Sequence, residues 1–355
     1  MRQFSLTVAV WGLCALAGMA QDGPYKILKS AKVGGDGGFD YVTADAEGRR
    51  LYVGRSGNPG RIMVYDLDSL EKAGEVPQTM RVHGATASPK SHHGFASSNP
   101  VVMFDTKTFA TIKTIEVKGN PDGYLWDSFN DRVWIFSHSK PHATVIDASD
   151  GSVVGTIDDL GGAPEQAATD GKGTLYVDIE DKDNIAVVDA KALAVKAHYD
   201  VTGKGGTCAG LALDVKNQIL FAACRNPQNM VILSAKDGKI LESLPLAGSS
   251  DGAVFNPKTM EVFSSHGNGT LSIVKENSPT SFTVEQTLQT MQGGKTCTLD
   301  AKTGHVLIIA AEYAPPPAAP ATPPPTPGDG RGPGRGRGGR GQMVPDSFTV
   351  LVVGK

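Results

Sequence analysis

Short apolar runs separated by polar turns extend along most of the chain, and their order repeats. A first run ends at a polar turn residue seven times, at intervals of roughly 42 residues: Asp45, Ser88, Asp127, Asp170, Asp214, Asn256 and Asp300. A second run follows each turn, and a third run ends in Asp in four repeats, at Asp66, Asp105, Asp147 and Asp189. A fourth run follows another polar turn. Short apolar runs bounded by turn residues predict β-strands, so we expect an all-β chain.

Four strands in each repeat are typical of a β-propeller blade, and seven repeats predict seven blades. The last repeat contains only three runs, at 295–299, 305–311 and 347–353. The segment 25–33, ahead of the first repeat, has the pattern of a lone strand. We expect this N-terminal strand to complete the last blade, because that pairing closes the ring and protects both strand edges. Residues 21–355 are therefore predicted to form a single domain.

The repeats also resemble a known family. Leu51-Tyr52-Val53 and Leu175-Tyr176-Val177, with the runs that end in Asp and the turns that follow them, resemble the YVTN-repeat β-propellers, the YncE-like exported proteins. The similarity covers residues 25–313 and 345–355. It implies a propeller in an exported protein. At the level of fold alone, the chain is also similar to bacterial propeller lactonases and quinoprotein-like propellers.

The composition indicates a folded chain that is rich in turns. Hydrophobic residues make up 40% of the chain and charged residues 20%, which excludes a wholly disordered protein. The 43 glycines and 22 prolines favour turns over long helices. The formal net charge is −3, whereas nucleic-acid-binding chains carry a basic excess. We therefore expect no nucleic-acid partner.

The N-terminus has the pattern of a secretory signal peptide. Arg2 precedes an uncharged apolar run over residues 4–17, and Gly18 and Ala20 are the small residues that signal peptidase prefers. We expect residues 1–20 to be cleaved off, because the apolar run is too short for a transmembrane helix. No other segment has the length and apolar character of a transmembrane span. The mature chain is predicted to be a periplasmic or secreted monomer.

Three cysteines remain after that cleavage. If the segments 207–213 and 219–225 pair as a hairpin, Cys208 lies directly opposite Cys224, within reach of a disulfide. The alternative, a pair of buried free thiols, stays open. Cys297 has no evident partner, and we interpret it as a small core residue.

A Pro-, Gly- and Arg-rich insertion interrupts the last repeat at 314–346. Its second half carries four arginines among glycines: Arg331, Arg335, Arg337 and Arg340. Such a segment cannot bury apolar area, so we expect a disordered loop. Its role stays open between a tether that touches anionic envelope material and an insertion without function. An RNA-binding segment of the RGG type is the less favoured third choice in an exported protein.

Two sets of side chains are predicted to gather at one end of the central channel, where propellers usually bind ligands. The positions five residues before each turn residue are Asp40, His83, Asp122, Glu165, Ala209, Asp251 and Lys295. The ends of the second strands supply Arg55, Ser98, His138, Glu180, Arg225, His266 and Glu312. Six side chains in each set are ionisable, which is far above the 20% charged residues of the whole chain.

Two interpretations of these side chains stay open. A water-filled channel needs polar walls, and opposite charges there can simply neutralise one another. Alternatively, the carboxylates bind a divalent metal such as calcium, and His83 adds a nitrogen suited to a transition metal. The carboxylates of this candidate metal set are Asp40, Asp122, Glu165 and Asp251. Without a metal, their mutual repulsion predicts at least one raised carboxyl pKa.

The candidate chemistry follows from these alternatives. The sequence has no Gly-x-Ser-x-Gly elbow, no phosphate-binding glycine loop and no His-Glu-x-x-His motif. We therefore interpret the chain as a module that binds a small molecule or an envelope partner at the polar end of the channel. The alternative is a metal-dependent hydrolase of the lactone or ester type, in which a metal-bound water attacks a polarised carbonyl.

Overall fold

The computed structural model describes residues 22–315 and 341–355, and every regular element within these ranges is a β-strand. The strands form seven four-stranded sheets, which are the blades of a seven-bladed β-propeller. The predicted all-β class and blade number are confirmed. The predicted signal peptide at 1–20 and most of the predicted insertion at 314–346 lie outside the described residues. In the described ranges, no helix is long and apolar enough to span a membrane.

The first six blades follow the chain order. Blades 1 and 2 contain β2 (Gly38–Asp45), β3 (Arg50–Ser56), β4 (Arg61–Asp66), β5 (Lys72–Val76), β6 (Gly84–Ser88), β7 (His93–Ser97), β8 (Val101–Asp105) and β9 (Thr111–Ile115). Blades 3 and 4 contain β10 (Pro121–Asp127), β11 (Arg132–Ser137), β12 (Ala143–Asp147), β13 (Val153–Ile157), β14 (Pro164–Thr169), β15 (Thr174–Ile179), β16 (Asn184–Asp189) and β17 (Ala194–Asp200). Blades 5 and 6 contain β18 (Cys208–Asp214), β19 (Ile219–Cys224), β20 (Asn229–Ser234), β21 (Ile240–Pro245), β22 (Ser250–Asn256), β23 (Glu261–His266), β24 (Thr270–Ser278) and β25 (Ser281–Gln289).

The N-terminal strand closes the ring. Blade 7 has the strand order β1 (Lys26–Lys32), β28 (Thr349–Gly354), β27 (Val306–Ala310) and β26 (Cys297–Leu299). β1 pairs antiparallel with β28, so that Lys32 lies opposite Thr349. The first strands of neighbouring blades contact one another around the channel, and β26 contacts β2 to complete the circle. The predicted closure by the N-terminal strand is therefore confirmed.

Contacts just ahead of β1 fasten the N-terminus to blade 6. Tyr25 is buried, and its N–H donates to Oε1 of Gln286 at 2.9 Å, while its carbonyl accepts from Nε2 of the same side chain at 2.9 Å. Its hydroxyl donates to the buried carboxylate of Glu261, which also accepts from Nζ of Lys355 at 2.9 Å. The two ends of the described chain therefore meet at one carboxylate of blade 6.

Carboxylates at strand ends make the repeat readable in the sequence. Asp66, the last residue of β4, accepts hydrogen bonds from the backbone N–H groups of Asp68 at 3.1 Å and Ser69 at 2.9 Å. Asp105 and Asp189 make the equivalent bonds at the ends of β8 and β16. An Asp side chain that accepts from N–H groups two and three residues ahead stabilises the turn into the fourth strand.

The hydrophobic core lies between neighbouring blades. In one cluster, Trp134 of blade 3 packs with Leu175 of blade 4, and in another, Val53 of blade 1 packs with Ile309 of blade 7. Because each sheet is covered on both faces, its central strands are almost wholly buried, as in β19. The inner ends of these strands are held rigidly by this packing, and they carry the charged residues described next.

Candidate functional site

The strand register brings both predicted sets to one end of the channel. The first strand of a blade starts where the second strand ends, so Pro121 pairs with Ser137 in blade 3, and Pro164 pairs with Ile179 in blade 4. The residues that follow these partners belong to the two predicted sets: Asp122, His138, Glu165 and Glu180. We call this end of the channel, where these side chains lie, the channel mouth.

A first group of charged side chains surrounds His83, and we call it the His83 group: Asp40, His83, Asp122, His138 and Lys295. Nδ1 of His83 lies 2.8 Å from Oδ2 of Asp40 and 3.1 Å from Oδ1 of Asp122. Oδ2 of Asp122 lies 3.3 Å from Nε2 of His138, and the Lys295 ammonium donates to Asp40. These five residues come from four blades and form one continuous network.

A second group surrounds Arg225, and we call it the Arg225 group: Glu165, Glu180, Arg225 and Asp251. Nη1 of Arg225 lies 2.9 Å from Oε2 of Glu180, and Nη2 lies 2.8 Å from Oδ1 of Asp251. Nη2 is also 3.9 Å from Oε1 of Glu165, and Nε donates to the Ser250 carbonyl at 2.9 Å. One guanidinium therefore serves three carboxylates and a carbonyl.

The four carboxylates of the candidate metal set are divided between the two groups. Asp40 and Asp122 lie in the His83 group, whereas Glu165 and Asp251 lie in the Arg225 group. Metal-ligating atoms come together in two other combinations, each with all three atoms within 4.8 Å of one another: Asp40, His83 and Asp122, and His138, Glu165 and Glu180. Each combination contains a histidine, which favours transition metals over calcium.

The charges within the His83 group are tightly linked. Burial raises the pKa of Asp122 and outweighs the charge of His83, which acts to lower it, while the charge of Asp40 adds a smaller rise. Burial also acts to raise the pKa of Asp40, but the His83 hydrogen bond and the Lys295 charge outweigh it and hold that pKa below its ordinary value. For His83, hydrogen bonding to Asp40 and the charge of Asp122 outweigh burial, so its pKa is raised.

Glu165 has a strongly perturbed carboxyl in the Arg225 group. Burial, and then the charges of Asp122 and Glu180, raise its pKa to about 8, although Arg225 and the Tyr41 hydroxyl partly oppose this. The hydroxyl of Tyr41 donates to Oε2 of Glu165 at 2.8 Å. A raised pKa of Glu165 agrees with the prediction of at least one raised carboxyl pKa, but burial contributes more to it than the repulsion between carboxylates.

Asp178 is a buried acid that the sequence pattern did not single out. It lies within β15, is fully buried, and neither carboxyl oxygen has a hydrogen-bond partner in the described part of the chain. Burial raises its pKa well above the ordinary value, and the charge of Glu165 adds to this effect. The signal in the sequence was an acid directly after Leu175-Tyr176-Val177, inside a run that is otherwise mostly apolar.

Three predicted site residues make their contacts elsewhere. Arg55 is buried and donates to the carbonyl oxygens of the loop at 34–37, with its guanidinium carbon 4.0 Å from the ring centroid of Phe348. His266 is buried in blade 6, shares a hydrogen bond with a neighbouring threonine, and burial lowers its pKa to about 4. Glu312 is exposed. These residues stabilise loops or face solvent, and their hydrogen bonds do not join the two groups.

A cavity of about 440 Å³ lies along the channel beneath the mouth, with Tyr41 and Glu165 on its wall. Gln166 crosses between blades there: Nε2 donates to the Ala253 carbonyl at 2.9 Å, and Oε1 accepts from the N–H groups of Leu211 and Ala253 at 3.1 and 3.0 Å. Cys297 also lines the cavity. Burial raises its pKa to about 11, which keeps the thiol neutral and agrees with a packing role.

The structure joins Cys208 to Cys224 by a disulfide. The two residues are direct partners at the ends of β18 and β19. Because Arg225 follows Cys224 in the chain, the bridge fixes the backbone that presents the guanidinium to its three carboxylates.

Comparisons with known proteins define the fold and not the chemistry. No family model matches the chain, and no curated protein sequence matches it. A chain from the crystal structure of the mitotic checkpoint complex is similar to it with a TM-score of 0.67 and 13% identity, over 87% of this chain and 95% of that chain. That neighbour is a WD40-type β-propeller. At this identity the likeness establishes a WD40-like propeller fold alone.

Proposed function

We propose that this chain is an exported propeller that binds a small, positively charged ligand at the channel mouth. The observation that carries the proposal is the excess of acid around Arg225. Its guanidinium is shared by Glu165, Glu180 and Asp251, and the buried Asp178 lies beside them. Such a site favours cations, because an entering cation displaces the proton that the raised pKa of Glu165 retains near neutral pH, and low local dielectric strengthens the resulting attraction.

Solvent reaches this site, as ligand entry requires. The side chains of Glu165 and Glu180 are 13% and 22% exposed, and that of His138 is 33% exposed. The hydrogen bonds among the charged groups hold them in place before a ligand arrives, which reduces the entropy that binding must overcome. Acidic side chains that are accessible to solvent and held in place by hydrogen bonds favour a ligand-binding role over that of a polar channel wall.

The proposed family and location follow from the sequence resemblance. We propose membership of the YVTN-repeat, YncE-like propellers, since Leu51-Tyr52-Val53 and Leu175-Tyr176-Val177 both form the buried centres of second strands. Export to the periplasm or the exterior rests on residues 1–20, and the mature chain is proposed to be a monomer. An envelope partner that presents a cationic group to the channel mouth is compatible with the same chemistry.

A ligand panel with thermal unfolding as its readout tests the binding proposal. The mature protein is treated with EDTA, dialysed, and melted at constant ionic strength with divalent metal ions, putrescine, spermidine or a neutral sugar. A ligand that binds only the folded state at 100 times its dissociation constant adds about 2.7 kcal/mol of stability. We expect at least one cation, and no neutral sugar, to raise the melting temperature.

Two variants give this test its specificity. Glu180→Gln removes one charge at the mouth and should reduce the stabilisation, whereas Glu71→Gln, at an exposed turn, should leave it unchanged. Failure of every cation to stabilise the protein, or equal stabilisation of both variants, contradicts a cation site at the mouth.

A metal-dependent hydrolase is the second candidate, and the two combinations of metal-ligating side chains favour it. It requires turnover of a lactone or ester panel that depends on added metal. Metal-dependent hydrolysis that is lost in Glu165→Gln would show that the chain is this enzyme and would overturn the assignment as a binding module. If the chain is only a binding module, we expect lactone and ester hydrolysis at the same rate as in the blank without protein.

A further inference from the structure

The two combinations of metal-ligating residues differ in how their negative charge is balanced. In the first, the carboxylates of Asp40 and Asp122 already contact His83, and Lys295 donates to Asp40. That combination holds its own cation. A metal ion entering it would have to displace an ammonium group that the protein itself supplies.

In the second combination, the cation that the protein supplies is Arg225, and it contacts only one of the two carboxylates closely. Ligand-type atoms of His138, Glu165 and Glu180 lie within 4.8 Å of one another. Arg225 approaches Glu180 at 2.9 Å but is 3.9 Å from Glu165, and its other terminal nitrogen is engaged with Asp251 at 2.8 Å. The guanidinium therefore makes short contacts with Glu180 and Asp251 and only a longer one with Glu165, which is the least closely paired of the three acids.

Asp178 is an independent sign that a positive group belongs here. Its side chain is fully buried, and neither oxygen has a hydrogen-bond partner within the described ranges. Glu165, Arg225 and Glu180 are the charged groups with which it interacts. A buried carboxyl group without a partner costs free energy unless a ligand or a proton satisfies it.

We propose that His138, Glu165 and Glu180 bind a divalent transition-metal ion, and that the nearby buried Asp178 strengthens this binding through its interaction with Glu165 and Glu180. This inference rests on the proposed cation-binding function and names its ligand. One imidazole and two carboxylates suit Mn²⁺, Fe²⁺ or Zn²⁺, whereas Ca²⁺ and Mg²⁺ prefer sites built wholly from oxygen. Bonds of about 2.1 Å place neighbouring ligands about 3–4 Å apart, so small side-chain rotations close the triad around an ion.

The position of the triad leaves room for an exchangeable ligand. His138 is the most exposed of the three side chains, at 33%, whereas Asp178 is fully buried. Three protein ligands leave further coordination positions to water or to a ligand atom that enters from the channel mouth. A bound metal would therefore favour ligands that can supply a coordinating atom at the channel mouth.

Binding of Mn²⁺ alone to the EDTA-treated mature protein tests this site, with free Mn²⁺ measured by electron paramagnetic resonance. We expect one Mn²⁺ per chain and a Ca²⁺ affinity at least ten-fold weaker. His138→Gln and Glu180→Gln should each weaken Mn²⁺ binding at least ten-fold, and Asp178→Asn about 10- to 100-fold. The control is Glu71→Gln, which should bind as the parent does, and His83→Gln, in the other combination, should weaken Mn²⁺ binding less than His138→Gln does. Melting in EDTA identifies any variant that fails to fold, and the partly exposed His138 is the substitution expected to fold best.

The other outcomes show whether the metal site alone fails or the proposed cation-binding function fails with it. Stabilisation by putrescine or spermidine that depends on Glu180, without Mn²⁺ binding, overturns the metal site and leaves the cation-binding function intact. Binding that is lost in His83→Gln but kept in His138→Gln assigns the metal to the His83 group and overturns the proposal. Calcium binding as tight as manganese binding removes His138 as a ligand. Absence of any cation binding overturns both proposals.

Discussion

Replacement of Glu165 by glutamine should make the protein less sensitive to rising pH. The folded protein raises the carboxyl pKa from 4.5 to about 8, mainly through burial. Between these values the folded state keeps a proton that the unfolded chain releases, so stability is fully present below pH 4.5 and falls as the pH rises toward 8. Glutamine is a neutral mimic of the protonated acid and can still accept the Tyr41 hydrogen bond.

The size of the effect follows from the raised pKa of Glu165. A tenfold change in proton affinity corresponds to about 1.4 kcal/mol, so the raised pKa can cost at most about 5 kcal/mol of stability at high pH. Because Glu165 is coupled to Asp122 and Glu180, we expect a loss between about 3 kcal/mol and this upper limit. Glu165→Gln should therefore match the parent near pH 4.5 and exceed its stability by about 3–5 kcal/mol at pH 8.5. For a domain of this size, we expect a difference in melting temperature of about 5–10 °C.

The assay is unfolding by urea and by heat across pH 4.5 to 8.5, in EDTA so that no cation neutralises the site. Glu71→Gln is the control, because it removes an exposed carboxylate far from the mouth and should track the parent at every pH. Parallel curves for the parent and Glu165→Gln would refute the raised pKa and the excess of acid on which the site argument depends.

Three further predictions concern the scaffold. Removal of residues 21–33 exposes the β28 edge and breaks the contacts of Tyr25, so we expect aggregation or a large drop in melting temperature, and an unchanged melting temperature by calorimetry would disprove closure by β1. Serine at both Cys208 and Cys224 removes a bridge across 16 residues and should cost about 3 kcal/mol by urea titration, so equal urea midpoints would contradict a stabilising bridge. The composition of the 314–346 insertion predicts that mild trypsin cuts first at its arginines and leaves two associated fragments on size-exclusion chromatography, whereas protection of these arginines would count against a disordered insertion.

The architecture could be predicted from the sequence because its determinants are local. The Asp residues that end the third strands bind N–H groups two and three residues ahead, so each leaves a mark at a fixed place in the repeat. The closing strand was predictable because the last repeat lacks one strand and an additional strand precedes the first repeat. The hairpin register that faces Cys208 with Cys224 follows from pairing across a short turn.

The site could be predicted only in outline, because its contacts run between blades. Counting along the strands places Arg55 and His266 at the same level as Arg225 and His138. In the structure, however, the Arg55 side chain contacts a loop and the His266 side chain is buried within blade 6. Asp178 was not predicted as a site residue because it lies inside a strand, where its position in the sequence does not show whether its side chain faces an apolar or a charged neighbour. Such contacts depend on side-chain direction and on the closed ring.

The metal site formed by His138, Glu165 and Glu180 at the channel mouth is tested most directly by anomalous diffraction from crystals of the mature protein equilibrated with Mn²⁺. We expect one strong anomalous peak within about 2.2 Å of the His138 imidazole and of the Glu165 and Glu180 carboxylates. A well-ordered mouth with no peak there, or a peak within the His83 group instead, would contradict it.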